Sequence, residues 1–137
     1  MGKRILLVEN EKNLARFIKL ELQKESYQVD LVETGQQGLT LAKENDYDLL
    51  LLNNQLADQT AFNFAQKLST IKPAVVIIVM VNREELEESV DEIQCFAVSY
   101  MVKPFIISDL VDKISAIFHG RDFIDQHCSK LKVPTAY

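Results

Sequence analysis

Glycine and cysteine are both scarce here, with four and two residues in a chain of 137. The glycines do not cluster, and no Ser/Thr-rich loop follows the first apolar run. That argues against a backbone cradle for a nucleotide or flavin phosphate, and so against an enzyme or a flavodoxin-like cofactor protein. Two cysteines far apart in sequence do not make a disulfide framework. Long apolar runs are missing too. The longest covers residues 74–81, well short of a membrane span. The start Met1-Gly2-Lys3-Arg4 is followed by only four apolar residues before Glu9, which suits a short strand and not a signal peptide. Without an export signal the expected compartment is a reducing cytoplasm. Basic excess is also lacking. The net charge of -5 means that the domain as a whole does not attract nucleic acid.

What is present is an ordinary globular mix, 47% hydrophobic and 26% charged, of a size for one core. Residues 4–8 form a compact apolar run, expected as a buried strand. Leu14, Phe17, Ile18 and Leu22 recur at helical spacing, which predicts a helix to about Lys24. Residues 27–32 alternate as a second strand, and Thr34 is placed to cap a helix through Leu39 and Ala42. Residues 49–52 are all leucine, a strand expected to be buried on both faces. Phe62, Ala65 and Leu68 predict a third helix that stops before Pro73. A β-branched strand is expected over 74–80. A helix carrying Leu86, Val90 and Ile93, with acidic residues around it, follows. A fifth strand over 97–102 ends before Pro104, and a last helix starts near Ser108 and Asp109. Five strands alternating with five helices predict an α/β fold, a doubly wound parallel sheet with helices on both faces. Residues 1–119 are expected to be the domain. Residues 120–137 are expected to be a helix extension and linker.

Ligands of such a sheet bind beyond the carboxyl ends of its strands. The residues there are Glu9 and Asn10, Asn53, Val81 and Asn82, and Lys103 before Pro104. Three segments stand out: Ile5-Leu6-Leu7-Val8-Glu9-Asn10, Asp48-Leu49-Leu50-Leu51-Leu52-Asn53 and Tyr100-Met101-Val102-Lys103-Pro104-Phe105. In their order and spacing the chain resembles, over roughly residues 3–119, the receiver domains of two-component response regulators. The resemblance implies a flavodoxin-like, CheY-like fold. In that family an aspartate after the third strand takes a phosphoryl group from a phosphohistidine. Acidic residues after the first strand hold Mg²⁺ with it. A Ser or Thr after the fourth strand and a Lys after the fifth bind the phosphoryl oxygens.

This chain departs from that set. Asn53 stands at the phosphoacceptor position, and a carboxamide is a poor nucleophile. The acidic pair is Glu9-Asn10, so one carboxylate remains of three, too little for a hard cation. No metal or cofactor is expected. Val81 replaces the hydroxyl residue. Lys103 is kept and is expected to bridge as a structural cation to Glu9, Asn53 or Asn10. Ala57 and Ala61 stand where the family's turn usually has Pro and Gly. Because Asn53, Asn10 and Val81 change in the same direction, loss of phosphorylation is expected to be native to the chain. Tyr100 occupies the place of the family's switch aromatic and is expected simply to pack on the fifth strand.

The resemblance is to regulators of the OmpR type, which implies a C-terminal winged-helix DNA-binding domain as partner. Such receivers usually form homodimers through helix 4, strand 5 and helix 5. Val98 and Ser99 stand where that face often has an acidic pair, and the acidic cluster on helix 4 is expected to be a solvated face. Within this type the chain is most similar to an orphan repressor of iron transport, which implies a role in iron homeostasis and oxidative stress. Cys95 is expected to be a small buried hydrophobe. Cys128 lies beside His127 and near Lys130 and Lys132, surroundings that favour a reactive thiolate. Leu110, Ile114, Ile117, Arg121, Ile124, Cys128 and Leu131 follow a 4-3-4-3-4-3 spacing, a heptad seam if the last helix continues. Cys128 is therefore the candidate redox switch, through an intermolecular disulfide. The alternative is an adaptor module that binds partner proteins without phosphorylation and carries no transcription domain.

Overall fold

The structure, a computed structural model, describes residues 2–119. Its elements run β1 (Arg4–Val8), α1 (Lys12–Lys24), β2 (Gln28–Val32), α2 (Gly35–Glu44), β3 (Leu49–Asn53), α3 (Ala61–Ser69), β4 (Ile77–Asn82), α4 (Arg83–Phe96), β5 (Ser99–Lys103) and α5 (Ile107–His119). The five strands form one parallel sheet in the order β2-β1-β3-β4-β5. The doubly wound α/β expectation is met.

The apolar strands sort as a covered sheet requires. Leu6, Val8, Leu50, Leu52, Val79 and Val81 share one face and enclose a core with Leu39, Ala42, Phe64, Ala65, Leu68 and Ile93. These come from α2, α3 and α4. Helix α1 runs along β1 and β2 and buries Ala15, Ile18 and Leu22. Gly38 lets α2 sit close to the sheet. A Cβ there would lie 3.0 Å from Val8 Cγ2 and 3.1 Å from Phe64 Cε2. Thr34 caps α2 as expected, with Gln37 completing a capping box.

The structure corrects several local expectations. Phe17 is 48% exposed, and Ala15 takes the place expected for it in the α1 stripe. Phe64, and not Phe62, is the buried aromatic of α3. Phe62 instead lies 6.0 Å, centroid to centroid, from Phe96. Strand β4 begins at Ile77, because Pro73 and Ala74 lie in a turn. Strand β5 begins at Ser99, because Ala97 is spent as the cap of α4, donating to the carbonyl of Ile93.

The chain divides into two compact units, Met1–Pro104 and Phe105–Tyr137. The described part of the second is α5 and its lead-in. The helix starts one residue before the expected place and buries Leu110 and Ile114. Among the described residues no helix is long and apolar enough to cross a membrane.

Candidate functional site

The strand order reverses beside β1, with β2 on one side and β3 on the other. Side chains at the carboxyl ends of the strands meet at such a reversal. Glu9, the residue after β1, is 1% exposed. Its Oε1 accepts from Lys103 Nζ at 2.8 Å, and its Oε2 accepts from the Glu11 amide at 3.0 Å. The Lys103 side chain is 15% exposed. Of the three partners expected for Lys103, the structure selects Glu9. The bridge joins strands that β3 and β4 separate, so it ties the carboxyl edge together. Removing one partner of such a buried pair strands the other charge, at about 3–5 kcal/mol.

The other expected residues do not converge on this pair. Asn53 turns into its own loop, where Nδ2 donates to the Gln55 carbonyl at 2.9 Å. Asn10 is exposed. Val81 is wholly buried in the core. Tyr100 is half-buried and packs against that core. The donors present do not suit a hard divalent cation. Among the described residues no three His, Cys, Asp or Glu side chains come together as a metal group, and both Glu9 oxygens already accept from protein donors.

Two important residues lay outside the sequence reading, Asn54 and Asp58. Asn54, directly after Asn53, is 5% exposed, and its Nδ2 donates to Glu85 Oε1 at 3.1 Å and to Ser89 Oγ at 3.3 Å. Glu85 is therefore not part of a purely solvated acidic face, as expected above. Asp58 reaches the start of α2, where its carboxylate accepts from the amides of Gly35 at 2.7 Å and Gln36 at 3.0 Å. Burial disfavours its charge, but those amides favour it, and the carboxyl sits below the usual range. An Asn-Asn pair closing an apolar strand was the only signal for Asn54. Nothing in the spacing signalled Asp58.

The amino end of the sheet is built differently. Arg4 lies 4.9 Å from the Tyr47 ring centroid and 3.3 Å from Asp30 Oδ2, which also accepts from the Tyr47 hydroxyl at 2.5 Å. Burial, and then the hydrogen bond to Asp30, push the Tyr47 hydroxyl well above its ordinary pKa. A hollow of about 370 Å³ lies nearby, bordered by Tyr47, Leu50, Leu68 and Lys72. Lys72, its cation, already binds the Asn45 carbonyl and Asp46. Cys95 departs from expectation. It is exposed, because α4 turns only Ile93 fully inward, and its thiol donates to the Asp91 carbonyl at 3.3 Å. Cys128 and the seam residues Arg121, Ile124 and Leu131 lie outside the described residues.

Comparison with known proteins gives a consistent picture. The profile of the response regulator receiver domain matches residues 5–115. The response regulator ArlR of Staphylococcus haemolyticus is 34% identical over 132 residues, 94% of this chain and 60% of that protein. The chain thus spans about three-fifths of that relative's length. A solved structure described as a novel family of redox sensors in the streptococci, evolved from two-component response regulators, is 60% identical with a TM-score of 0.85. It covers 93% of this chain and 56% of its own. The regulatory domain of the repressor of iron transport regulator, in its inactive form, is 58% identical with a TM-score of 0.83, over 88% of this chain and 98% of its own. A C128S variant of that regulator is 59% identical with a TM-score of 0.86, over 99% of this chain and 59% of its own.

Proposed function

This chain belongs to the response regulator receiver family, and we propose that it is a member which has given up aspartyl phosphorylation and serves as the regulatory part of a cytoplasmic DNA-binding transcription regulator. The observation that carries the reading is Asn53 at the end of β3, its carboxamide turned to the Gln55 carbonyl, while both oxygens of Glu9 are already taken. A receiver that accepts a phosphoryl group needs a nucleophilic carboxylate and a cation that neutralises developing charge. Here the position holds a neutral amide, Asn10 adds no charge, Val81 offers no hydroxyl, and Lys103 is engaged as a structural cation. The pocket is then a neutral hub, and Tyr100 a packing residue. Residues 1–119 are the receiver, and 120–137 lead toward a winged-helix effector domain.

The input moves to Cys128. Its sequence neighbours support this role, as does likeness to proteins described as redox sensors and as a repressor of iron transport. A C128S variant among the similar structures puts a cysteine at that number in the relative too. Two Cys128 thiols, one from each of two copies, would lose two protons and two electrons to hydrogen peroxide. The products are one disulfide and two waters. The disulfide would set the dimer, with the helix 4-strand 5-helix 5 face as the further candidate contact.

Two measurements test the reading. Intact mass after incubation with acetyl phosphate and Mg²⁺ is expected to be unchanged, and an added phosphoryl group on residue 53 overturns the phosphorylation claim. Peroxide is expected to give a reductant-sensitive dimer on non-reducing gels that Cys128→Ser abolishes. A dimer that persists in that variant overturns the redox claim.

A further inference from the structure

Helix α4 is poorly held by its own sequence. Of its residues Arg83–Phe96 only Ile93 is fully buried. Glu84, Glu87, Glu88, Asp91 and Glu92 are exposed, and Glu84–Glu88, Glu87–Asp91 and Glu88–Glu92 stand one turn apart as like-charge pairs. Glu84 and Glu85 in its first turn suit the helix dipole, but its last turn carries no basic residue, and Asn82 at its start makes no side-chain cap bond. Apolar burial and local capping therefore leave α4 loosely committed to its seat.

Against this, one polar contact is built on a fixed post. The Asn54 amide donates to the Met80 carbonyl at 2.7 Å, and the Asn54 carbonyl accepts from Ala61 at 2.9 Å. Its backbone is thus pinned to β4 and to the start of α3. From that post the buried carboxamide reaches both Glu85 and Ser89, which one helical turn separates on one face of α4. Release of α4 would give up both contacts for hydrogen bonds to water, a net loss that favours the seated state. We propose that Asn54, Glu85 and Ser89 form a latch that holds α4 on its seat and sets how readily the helix opens. Release uncovers the inner side of the helix, Leu86, Ile93 and Phe96, together with the hollow of about 230 Å³ that Phe96 shares with Ala65, Leu68 and Ile77. The latch stands on the contacts of Asn54. It holds whether or not Asn53 can be phosphorylated and whether or not Cys128 senses oxidant.

Hydrogen exchange read by mass spectrometry on the full chain tests it. Asn54→Ala and Glu85→Ala are each expected to speed exchange of α4 amides by about tenfold while α2 and α3 keep theirs. Glu85→Gln, which retains an acceptor oxygen, is expected to keep most of the α4 protection. Unchanged α4 exchange in Glu85→Ala overturns the proposal. So does a rise of equal size across the whole sheet, which would make these residues general supports of the fold. If Asn54→Ala does not fold, the contrast between Glu85→Ala and Glu85→Gln decides alone, since Glu85 is on the outer layer.

Discussion

Helices α2 and α4 pack on the same face of the sheet and are held in opposite ways. Helix α2 is the shorter, yet it buries Gly35, Gly38, Leu39 and Ala42, and its first turn is satisfied twice, by Thr34 and by Asp58. Helix α4 is longer but buries one residue, lacks a side-chain cap and gathers repelling carboxylates. Length alone does not commit a helix to a fold. Close fit and satisfied ends do so for α2, while α4 leans on a polar tether. A domain that must respond to something needs an element of the second kind.

The comparison can be broken most directly at Ile93. Ile93→Ala is expected to cost about 2–5 kcal/mol in urea unfolding, as for other large-to-small core changes. A loss under about 1 kcal/mol would mean that α4 is not part of the cooperative unit at all. The caps come next. Thr34→Ala should cost about 1 kcal/mol, while Asn82→Ala should stay within about 0.5 kcal/mol because no cap bond is lost. Equal costs would erase the contrast. Charge follows. Glu88→Lys turns the pairs with Glu84 and Glu92 from repulsive to attractive and should stabilise by about 0.5 kcal/mol, less at high salt.

Asp58 gives the smallest effect, because its carboxylate is exposed to solvent. Its folded pKa lies below the unfolded value. Its contribution is therefore present above the ordinary carboxylate pKa, near ~3.9, and is lost as pH falls through the lowered folded value. Acid unfolding of Asp58→Asn should show a shallower slope in that window. An identical slope would remove Asp58 as a support of α2.

The contrast also explains what was legible in the sequence. Strands β1 and β3 could be read directly, since every one of their leucines and isoleucines is buried and no phase has to be chosen. Helix phase was harder. Counting large side chains favoured Phe17 and Phe62, while packing chose Ala15 and Phe64, because a small residue can face the sheet and a large one can lie on the rim. Cys95 was misjudged for the same reason, as a residue whose type is usually buried on a helix that buries little. The Lys103–Glu9 contact spans 94 residues in sequence and was foreseen only through family resemblance, as one of three choices. Asn54–Glu85 and Asp58–Gly35 span 31 and 23 residues, and periodicity carries no trace of such pairs.

The loop from residue 54 to 60 has one more consequence. Asn54 engages α4, Asp58 engages α2, and Thr60 caps α3 by accepting from the Asn63 amide at 3.1 Å. A bridge between Gln55 and Thr60 and the Leu56–Gln59 backbone bond keep its outline fixed. Surface loops ordinarily absorb insertions at little cost. This one cannot, because one added residue would displace three helix contacts at once. Its length is a shared dimension of the domain, and a tag or inserted segment placed there would break what the same insertion in the turn after Lys72 would leave intact.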